Sequence, residues 1–426
     1  MRLQKPILLG SLLLALSQLG MVHCSRALAE ETLLNADQLV AIAFEANPAV
    51  RAARAQWDAA KHQILQNYVP QDPVFTYTNV ESSARFNAAS HNHNLTESFQ
   101  FPGEAFYQAD QAKRTADIAR LTFEASLRDT RAGVETGYYQ VLLDYAVISV
   151  NAENIDNLRQ VLGVTKTAYA GGLHTQADVI NAQIALSQAE LQQRQYQTNR
   201  LNDIATLNQL LFRSADSPLN LDHEIRLKPL DYPLAKAVDL AAQARQEILE
   251  TALSEKNADT AVTLAKMEYL PNYTLSGEFD YILQPGAQPL PNVTQAYDFG
   301  IGFNVPIFFW YHQREDVKSA QYSLQAARYN LDSIRLQTQT TVTQLYRSAQ
   351  FAYESAQLYS ASLIPLARQD FKVSLIAYQS GQVDFLTLSA ALQAVYSSRI
   401  TYVQNANQFL AGVVAVEQAI GVPLPK

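Results

Sequence analysis

The fold of this chain is decided by one stretch and its repeat, and the first copy reads Tyr169-Ala170-Gly171-Gly172-Leu173-His174-Thr175-Gln176-Ala177-Asp178-Val179. The stretch lies in a segment without proline that runs from residue 103 to residue 217. Because proline costs about 3 kcal/mol inside a helix, such a segment permits very long helices. A helix over residues 103–170 would be about 100 Å long at about 1.5 Å per residue. The sequence therefore predicts a long helix that turns back at the glycine pair, which no compact globular domain could hold.

A second copy of this hairpin follows about 200 residues later, so the chain has an internal two-fold repeat. Four short matches occur in the same order in both copies, at offsets of 201, 204, 208 and 209 residues. Small loop insertions produce such a slow drift. The matches are Tyr68-Val69-Pro70 with Tyr269-Leu270-Pro271, Phe99-Gln100-Phe101-Pro102 with Phe303-Asn304-Val305-Pro306, Val134-Glu135-Thr136-Gly137-Tyr138 with Val342-Thr343-Gln344-Leu345-Tyr346, and Ala168-Tyr169-Ala170-Gly171-Gly172 with Ala377-Tyr378-Gln379-Ser380-Gly381.

The repeat divides the chain into five parts. We expect a signal peptide at 1–29, a first repeat at 30–212, an inter-repeat equatorial segment at 213–233, a second repeat at 234–421 and a C-terminal tail at 422–426. In the first repeat, strands at about 73–101 precede a helical hairpin at about 103–212. In the second, strands at about 272–305 precede a hairpin at about 307–420.

The N-terminus has the three parts of a signal peptide. Arg2 and Lys5 supply the positive charge, Ile7–Leu19 is apolar, and Ala27-Leu28-Ala29 is a small-x-small cleavage site. The alternative is a lipoprotein acylated at Cys24, although the preceding His23 departs from the small residue that lipidation requires. Cleavage after Ala29 leaves a mature chain without cysteine, hence without disulfides or thiolate metal sites.

Charge and motifs exclude several classes of function. The leader carries three basic residues and no acid, which leaves 29 basic and 40 acidic residues in the mature chain. A net charge near −11 argues against a nucleic-acid partner. No nucleophile motif, phosphate loop or convincing metal-ligand spacing occurs, so we expect no enzyme and no cofactor.

Two alternating segments precede each hairpin and predict β-strands. In the second repeat, Tyr297, Phe299, Ile301, Phe303 and Val305 alternate with small or polar residues over a length that can span a membrane. The first repeat is less regular, with strands expected at Val74–Val80 and Leu95–Phe101. Its polar loop, Glu81–Asn94, would hold His91 and His93, a poor metal site without further ligands. The alternative is a pair of half-buried hairpins in a soluble domain.

The number of predicted strands indicates that the chain forms an oligomer. An open sheet edge cannot lie in lipid, and single-chain membrane barrels have about eight strands or more. Four strands per chain can therefore span a membrane only if several chains share one barrel.

With these features, the sequence resembles the outer-membrane efflux protein family, the TolC-type channels, over nearly all of the mature chain. The resemblance rests on the duplicated order, on Asn47-Pro48-Ala49-Val50, on Tyr-x-Pro before each strand pair, and on the turns Tyr169-x-x-Gly172-x-x-Thr175-x-x-Asp178-Val179 and Tyr378-x-x-Gly381-x-x-Asp384-x-x-Thr387-Leu388. It implies a mainly α fold with membrane β structure: a homotrimer whose periplasmic α-helical barrel joins a shared twelve-stranded β-barrel in the outer membrane.

The resemblance also implies function and partners. Members are passive exit ducts of tripartite efflux systems, working with a periplasmic adaptor and an inner-membrane transporter, here expected to be proton-driven. The turns would form the adaptor-docking surface, with the periplasmic gate beside them. The docking residues are Gly171, Gly172, Leu173, Gly381, Gln382 and Val383, and the gate residues are Asp178, Asn181, Asp384 and Thr387.

Several readings remain open from the residues. Gly172 and Gly381 also fit simple helix C-caps, and Asp178 or Asp384 could cap a helix. A type I protein secretion channel, a periplasmic adaptor and a coiled-coil structural protein are alternative functions. The cargo is metal ions or small organic molecules. Phe99-Gln100-Phe101-Pro102-Gly103-Glu104 and Leu363-Ile364-Pro365-Leu366-Ala367 resemble the heavy-metal branch of the family, and Pro365 should bend its helix.

Overall fold

The computed structural model describes residues 33–81, 89–222, 227–284 and 292–424. The predicted signal peptide, including Cys24, and the last two residues of the predicted tail lie outside these ranges. Within them, no helix is both long enough and apolar enough to cross a bilayer.

The chain consists of two similar halves, as the repeat predicts. The first contains α1 (Ala36–Ala46), α2 (Pro48–Gln66), β1 (Val74–Glu81), β2 (Ala89–Phe99), α3 (Glu104–Ala170) and α4 (Gln176–Leu210). The second contains α5 (Leu234–Ala244), α6 (Gln246–Met267), β3 (Tyr273–Gln284), β4 (Asn292–Phe303), α7 (Gln313–Leu358), a π-helical turn (Tyr359–Leu363), α8 (Ile364–Gln379) and α9 (Phe385–Ile420). The second hairpin thus begins at Gln313, six residues after the predicted start.

The long outgoing helix differs between the halves. In the first half, α3 is one uninterrupted helix of 67 residues, as the absence of proline predicts. In the second half, the π-helical turn separates α7 from α8 and ends just before Pro365. Because proline lacks an N–H donor, the helix loses a backbone bond there, and the wider turn accommodates the loss. The π-helical turn thus lies directly before Pro365, and the bend predicted there stays a prediction.

The four strands form one antiparallel sheet in the order β1-β2-β3-β4. Tyr273 pairs with Phe303, Leu275 with Ile301 and Phe279 with Tyr297, so these apolar side chains share one face. Acidic and amide side chains occupy the other face. There, Glu278 lies opposite Asp298, and Asn92 donates hydrogen bonds to Glu278 and Asp280.

The predicted start of the second strand is wrong. β2 begins at Ala89 instead of Leu95, so His91 and His93 lie in a strand and not in a loop. Their rings lie on the aromatic face, where His93 is within 5.1 Å of Tyr77 and 5.9 Å of Phe279 between ring centroids. Across the described residues, no group of three or more His, Cys, Asp or Glu side chains could hold a metal ion. Val305, expected on a strand, follows the end of β4.

Below the sheet, the helices form a single row with two free edges. Near the strands the order of contacts is α2-α3-α6-α7, and further down it is α4-α3-α9-α7, with α8 in the place of α7 at the turns. Along α7, Tyr322, Tyr329 and Leu336 recur every seven residues and are all more than 60% exposed. Ile180, Ile184 and Leu191 are exposed on α4. Regular apolar side chains on both edges indicate surfaces that need a neighbour.

Equivalent tyrosines fasten the inter-repeat segment to both halves. Tyr138 on α3 donates a hydrogen bond to the carbonyl oxygen of Asp222 at 2.7 Å. Its counterpart in the repeat, Tyr346 on α7, donates one to the carbonyl oxygen of Tyr232 at 2.9 Å. The same contact thus occurs twice, once in each repeat.

A pair of carboxyl groups lies between α3 and α4. Asp144 is 8% exposed, and burial followed by its hydrogen bond with Asp203 raises the pKa of Asp144 to about 7. Gln140 donates a second hydrogen bond to Asp203, at 3.3 Å. The guanidinium of Arg200 lies over the ring of Tyr145, 4.9 Å from its centroid. Asp144 therefore retains its proton well above the pH at which an exposed aspartate loses it.

Replacing Asp144 with asparagine should change how stability depends on pH. Between about pH 4 and pH 7 the folded chain holds a proton that the unfolded chain releases, so stability falls as pH rises through this window. Asparagine resembles the protonated acid and removes that loss. We expect Asp144→Asn to be more stable than wild type at pH 8 by up to about 4 kcal/mol, the linkage energy of a pKa raised from about 4 to about 7.

Heating the purified protein in detergent at pH 5 and pH 8, with helix content followed by circular dichroism, measures this effect. Asp156→Asn is the matched control, because the Asp156 side chain is 74% exposed on the same helix. Identical pH dependence in wild type and Asp144→Asn would contradict the buried acid pair.

Candidate functional site at the helical turns

Each helical hairpin ends in a turn of the same construction. Gly172 and Gly381 have φ of +73° and +72°, the left-handed conformation that favours glycine. In the first turn, Leu173 N–H donates to the carbonyl oxygen of Ala168 and Gly172 N–H to that of Tyr169. In the second, Gln382 N–H donates to Ala377 and Gly381 N–H to Tyr378. Both glycines therefore close Schellman motifs, so the C-cap interpretation is correct for both.

The returning helices begin with side-chain caps. Thr175 accepts a hydrogen bond from the N–H of Asp178, and Asp178 accepts one from the N–H of Thr175, which completes a capping box. In the second turn, Asp384 accepts hydrogen bonds from both the N–H and the hydroxyl of Thr387. These bonds lower the pKa of Asp384. Two of the four predicted gate residues, Asp178 and Asp384, therefore have a structural role at a helix N-terminus.

The other predicted residues are arranged around these caps. Asn181 and Thr387 are exposed; Asn181 is the sixth residue of α4, and Thr387 is the third residue of α9. Leu173 is 57% exposed and Leu386 75% exposed, while Val383 packs against the core of the tips. The turns thus present apolar side chains to solvent at the far end of both hairpins, and a partner protein could bury them.

The two hairpins of one chain are held together near the turns by a shared core. It contains residues from both: Leu162, Ala168, Ala182, Leu186, Leu375, Tyr378, Leu388 and Leu392. Above this core, Glu153 on α3 forms ion pairs with Arg399 on α9 and Arg368 on α8. The turns are consequently parts of one packed unit.

Sequence reasoning missed two residues that join the turns. The rings of His174 and Tyr378 are stacked, with centroids 3.9 Å apart, and His174 Nε2 lies 2.9 Å from the carbonyl oxygen of Tyr378. Burial raises the pKa of the Tyr378 hydroxyl, which lies beside Thr165. Both residues lie in the quoted turn motifs, but nothing in the sequence indicated that they meet.

Comparisons with known proteins show which proteins this chain is similar to. Residues 39–211 and 237–422 match the family described as outer membrane efflux protein. Outer membrane protein TolC of Escherichia coli is 22% identical over 98% of this chain and 86% of its own length. Toxin and drug export protein A of Aggregatibacter actinomycetemcomitans is 25% identical over 50% of this chain and 48% of its own.

A solved structure shares the fold. The outer membrane protein VceC of Vibrio cholerae superposes with a TM-score of 0.78 at 16% identity, covering 91% of this chain and 96% of that one. The two family segments fall on the two repeats of the chain, which are joined by the inter-repeat segment.

Proposed function

Because the chain belongs to the outer membrane efflux protein family, we propose that it is the outer-membrane exit duct of a tripartite efflux system. Family membership makes it a channel protein and not an enzyme, and it excludes the adaptor and coiled-coil alternatives. In this proposal the chain is secreted, sits in the outer membrane, extends far into the periplasm and opens and closes at its helical turns.

The observation that carries the proposal is the pair of free edges. The sheet ends in unpaired β1 and β4, and the helical row ends in the exposed apolar side chains of α4 and α7. Joining the two unlike edges of successive copies makes a head-to-tail contact, which in this proposal closes into a ring because successive copies are related by a third of a turn. Three copies would give twelve strands, enough for a barrel with no open edge in lipid.

The partners follow from the architecture. Nothing in the described residues suggests an energy-supplying site, so transport would be driven by an inner-membrane transporter, which we propose is proton-driven. A periplasmic adaptor would dock on the turn residues, where Leu173 and Leu386 are exposed. Outer-membrane lipid would surround the aromatic face of the strands.

Cell fractionation tests the duct directly. We expect the chain in the outer-membrane fraction, running as a trimer on unheated gels and as a monomer after heating. A soluble monomer would overturn the proposal.

The cargo separates the remaining alternatives. The resemblance to the heavy-metal branch favours metal ions, whereas the name of Toxin and drug export protein A favours drugs or polypeptides. Gly103, in the first of the metal-branch stretches, has φ of +101° and precedes α3, so its role in this chain is a structural one.

Deleting the gene should sensitise cells to the exported class of compound. Growth is measured across divalent and monovalent metals and across hydrophobic drugs, and culture supernatants are compared for secreted proteins. Metal sensitivity alone would support metal ions as the cargo, and drug sensitivity alone would exclude them. Loss of a secreted protein with both tolerances unchanged would favour the type I secretion alternative.

A further inference from the structure

A cavity of about 230 Å³ lies between α4 and α9, with α3 as its floor. It extends about 10 Å along the helices, which is the length of the floor segment from Asn151 to Leu158. Among the described residues, none that lines the cavity is charged. Its lining is mainly polar and includes Asn151, Gln188, Gln192, Ser389, Gln393 and Tyr396. The cavity therefore offers hydrogen bonds without charge.

The cavity is closed at both ends. At the end further from the turns, the hydroxyl oxygens of Tyr196 on α4 and Tyr396 on α9 lie 3.2 Å apart. Burial, followed by this bond, raises the pKa of Tyr396, whose hydroxyl therefore stays neutral. At the other end, Leu186 and Leu392 belong to the core that the two hairpins share. An extended polypeptide would have to run on past both ends, so the cavity fits a compact ligand.

A buried acceptor lies in the floor of the cavity. Asn151 is 1% exposed, and its Nδ2 donates to the carbonyl oxygen of Ala189 at 3.0 Å and to Oε1 of Gln193 at 2.8 Å. These bonds use both of its donors. Its Oδ1 accepts no hydrogen bond from any described residue. Because a buried acceptor without a partner is costly, Oδ1 favours a ligand that carries O–H or N–H groups.

The cavity opens on the face of the helical row that is opposite α1. The core that contains α1 includes Tyr138 of α3. Asn154 and Leu158, which line the cavity, follow Tyr138 by 16 and 20 residues, or about 160° and 200° around the helix. In the proposed duct, α1 and the inter-repeat segment would obstruct the channel if their face were the inner one. The cavity therefore faces the channel.

The repeat does not duplicate the amide side chains of this cavity. At the offset of 209 residues, positions on α4 correspond to positions on α9, and the three glutamines of the cavity correspond to shorter or apolar residues. The pairs are Gln188 with Ser397, Gln192 with Thr401, and Gln393 with Ile184. The construction of a hairpin thus does not require these amides, which points to a role for them in the cavity itself.

We propose that this cavity is a binding site in the channel wall for an uncharged, hydroxyl-rich small molecule, about the size of one or two sugar rings. Amide side chains both donate and accept hydrogen bonds, as hydroxyl groups do. Without a charged partner, an ion would lose its hydration here and gain no compensation. Leu158 and Leu392 provide apolar surface for the C–H faces of a ring.

The size of the cavity agrees with this class of ligand, because drug-sized ligands usually occupy pockets of about 300–1,000 Å³. The inference rests on the proposed duct function, and it names one class among the small organic molecules that the duct could carry.

Saturation-transfer-difference NMR on the purified trimer tests the site, in a detergent without a sugar headgroup and with maltose as the probe. We expect maltose to bind. Tetraethylene glycol dimethyl ether has acceptors only and cannot donate to Oδ1 of Asn151, so it should give no signal. Gln188→Ala and Gln393→Ala should each raise the Kd of maltose about fivefold, as the loss of one hydrogen bond does.

The chain offers a matched control on the same helix. Gln183 is an exposed glutamine of α4 that does not line the cavity, so Gln183→Ala should bind maltose as wild type does. Asn151→Leu should also weaken binding about fivefold or more, because it removes the buried acceptor. Should Asn151→Leu fail to assemble, Gln188→Ala and Gln393→Ala carry the test, because both glutamines are exposed.

The outcomes separate the site from the duct. Absence of maltose binding to wild type would overturn the site, and so would an unchanged Kd in both glutamine variants. Binding of triglycine or of the glycol ether as tight as that of maltose would overturn the preference for hydroxyl groups. Binding is measured on purified protein and needs no transport. A soluble monomer in cell fractionation therefore overturns the duct, whichever result maltose gives.

Discussion

Bridging the helical tips of neighbouring chains with a thiol-specific crosslinker is expected to abolish export while leaving the assembled trimer intact. The tips carry exposed side chains outside the core that the two hairpins share, so these can be joined without removing a core residue. If they form the gate, a covalent bridge between chains fixes its diameter. Transport then stops, because the duct opens only when the tips move apart.

The structure selects the positions for this experiment. Asp178 is a poor choice, because its carboxylate completes the capping box and its loss costs about 1 kcal/mol of helix stability. Asn181 is exposed and lies about one turn further along α4, and Thr387 is exposed at the third residue of α9, where its backbone N–H can still donate to Asp384 after substitution. Since the only cysteine of the chain is Cys24, cleavage after Ala29 makes Asn181→Cys and Thr387→Cys single-thiol variants.

Export is measured before and after a cleavable bifunctional maleimide, and again after reduction of its linker. We expect loss of export on crosslinking and recovery on cleavage. Gln195→Cys, exposed on α4 about 21 Å further from the turn, is the positional control. A monofunctional maleimide controls for the modification itself. Undiminished export after complete crosslinking at both positions would show that the tips do not form the gate.

The sequence predicts the helices and turns well, because their signals are local. The absence of proline permits the long helix α3. Each turn needs one residue in the left-handed conformation, which glycine adopts readily, and aspartate is a favoured N-cap residue, as at Asp384. These effects act within about five residues, so they can be recognised before any long-range contact is known.

The errors concern contacts between distant parts of the chain. β2 carries histidine and asparagine on its two faces and so lacks clear alternation, and its register is set by pairing with β1 and β3. The buried Tyr378 and the exposed Tyr169 occupy identical motifs. Tyr378 belongs to the core shared by both hairpins and contacts His174, which is 204 residues away in sequence.

The second large effect is expected on the aromatic face of the sheet. Ile301 is 68% exposed beside Phe299, which is 92% exposed, and among the described residues no other element covers them. If this face meets lipid, an arginine at Ile301 must bring its charge into the hydrocarbon region. That costs about 2–4 kcal/mol at the bilayer midplane and less towards an interface, and Ile301 lies two residues before the end of β4. Ile301→Arg should therefore cost about 1–2 kcal/mol and lower the amount of assembled trimer by roughly 5- to 30-fold.

The same substitution on the opposite face supplies the control. Asp298→Arg introduces an identical side chain three residues away, opposite Glu278 on the polar face. Gly300 would be a poorer control, because a Cβ there would lie 2.6 Å from Oγ of Ser276. Heat-sensitive trimer in the outer-membrane fraction is the readout, and Asp298→Arg should remain near wild type. A lipid boundary on one side of the sheet penalises arginine at Ile301 and accepts it at Asp298. Equal loss of trimer in both variants would therefore mean that the two faces meet similar surroundings.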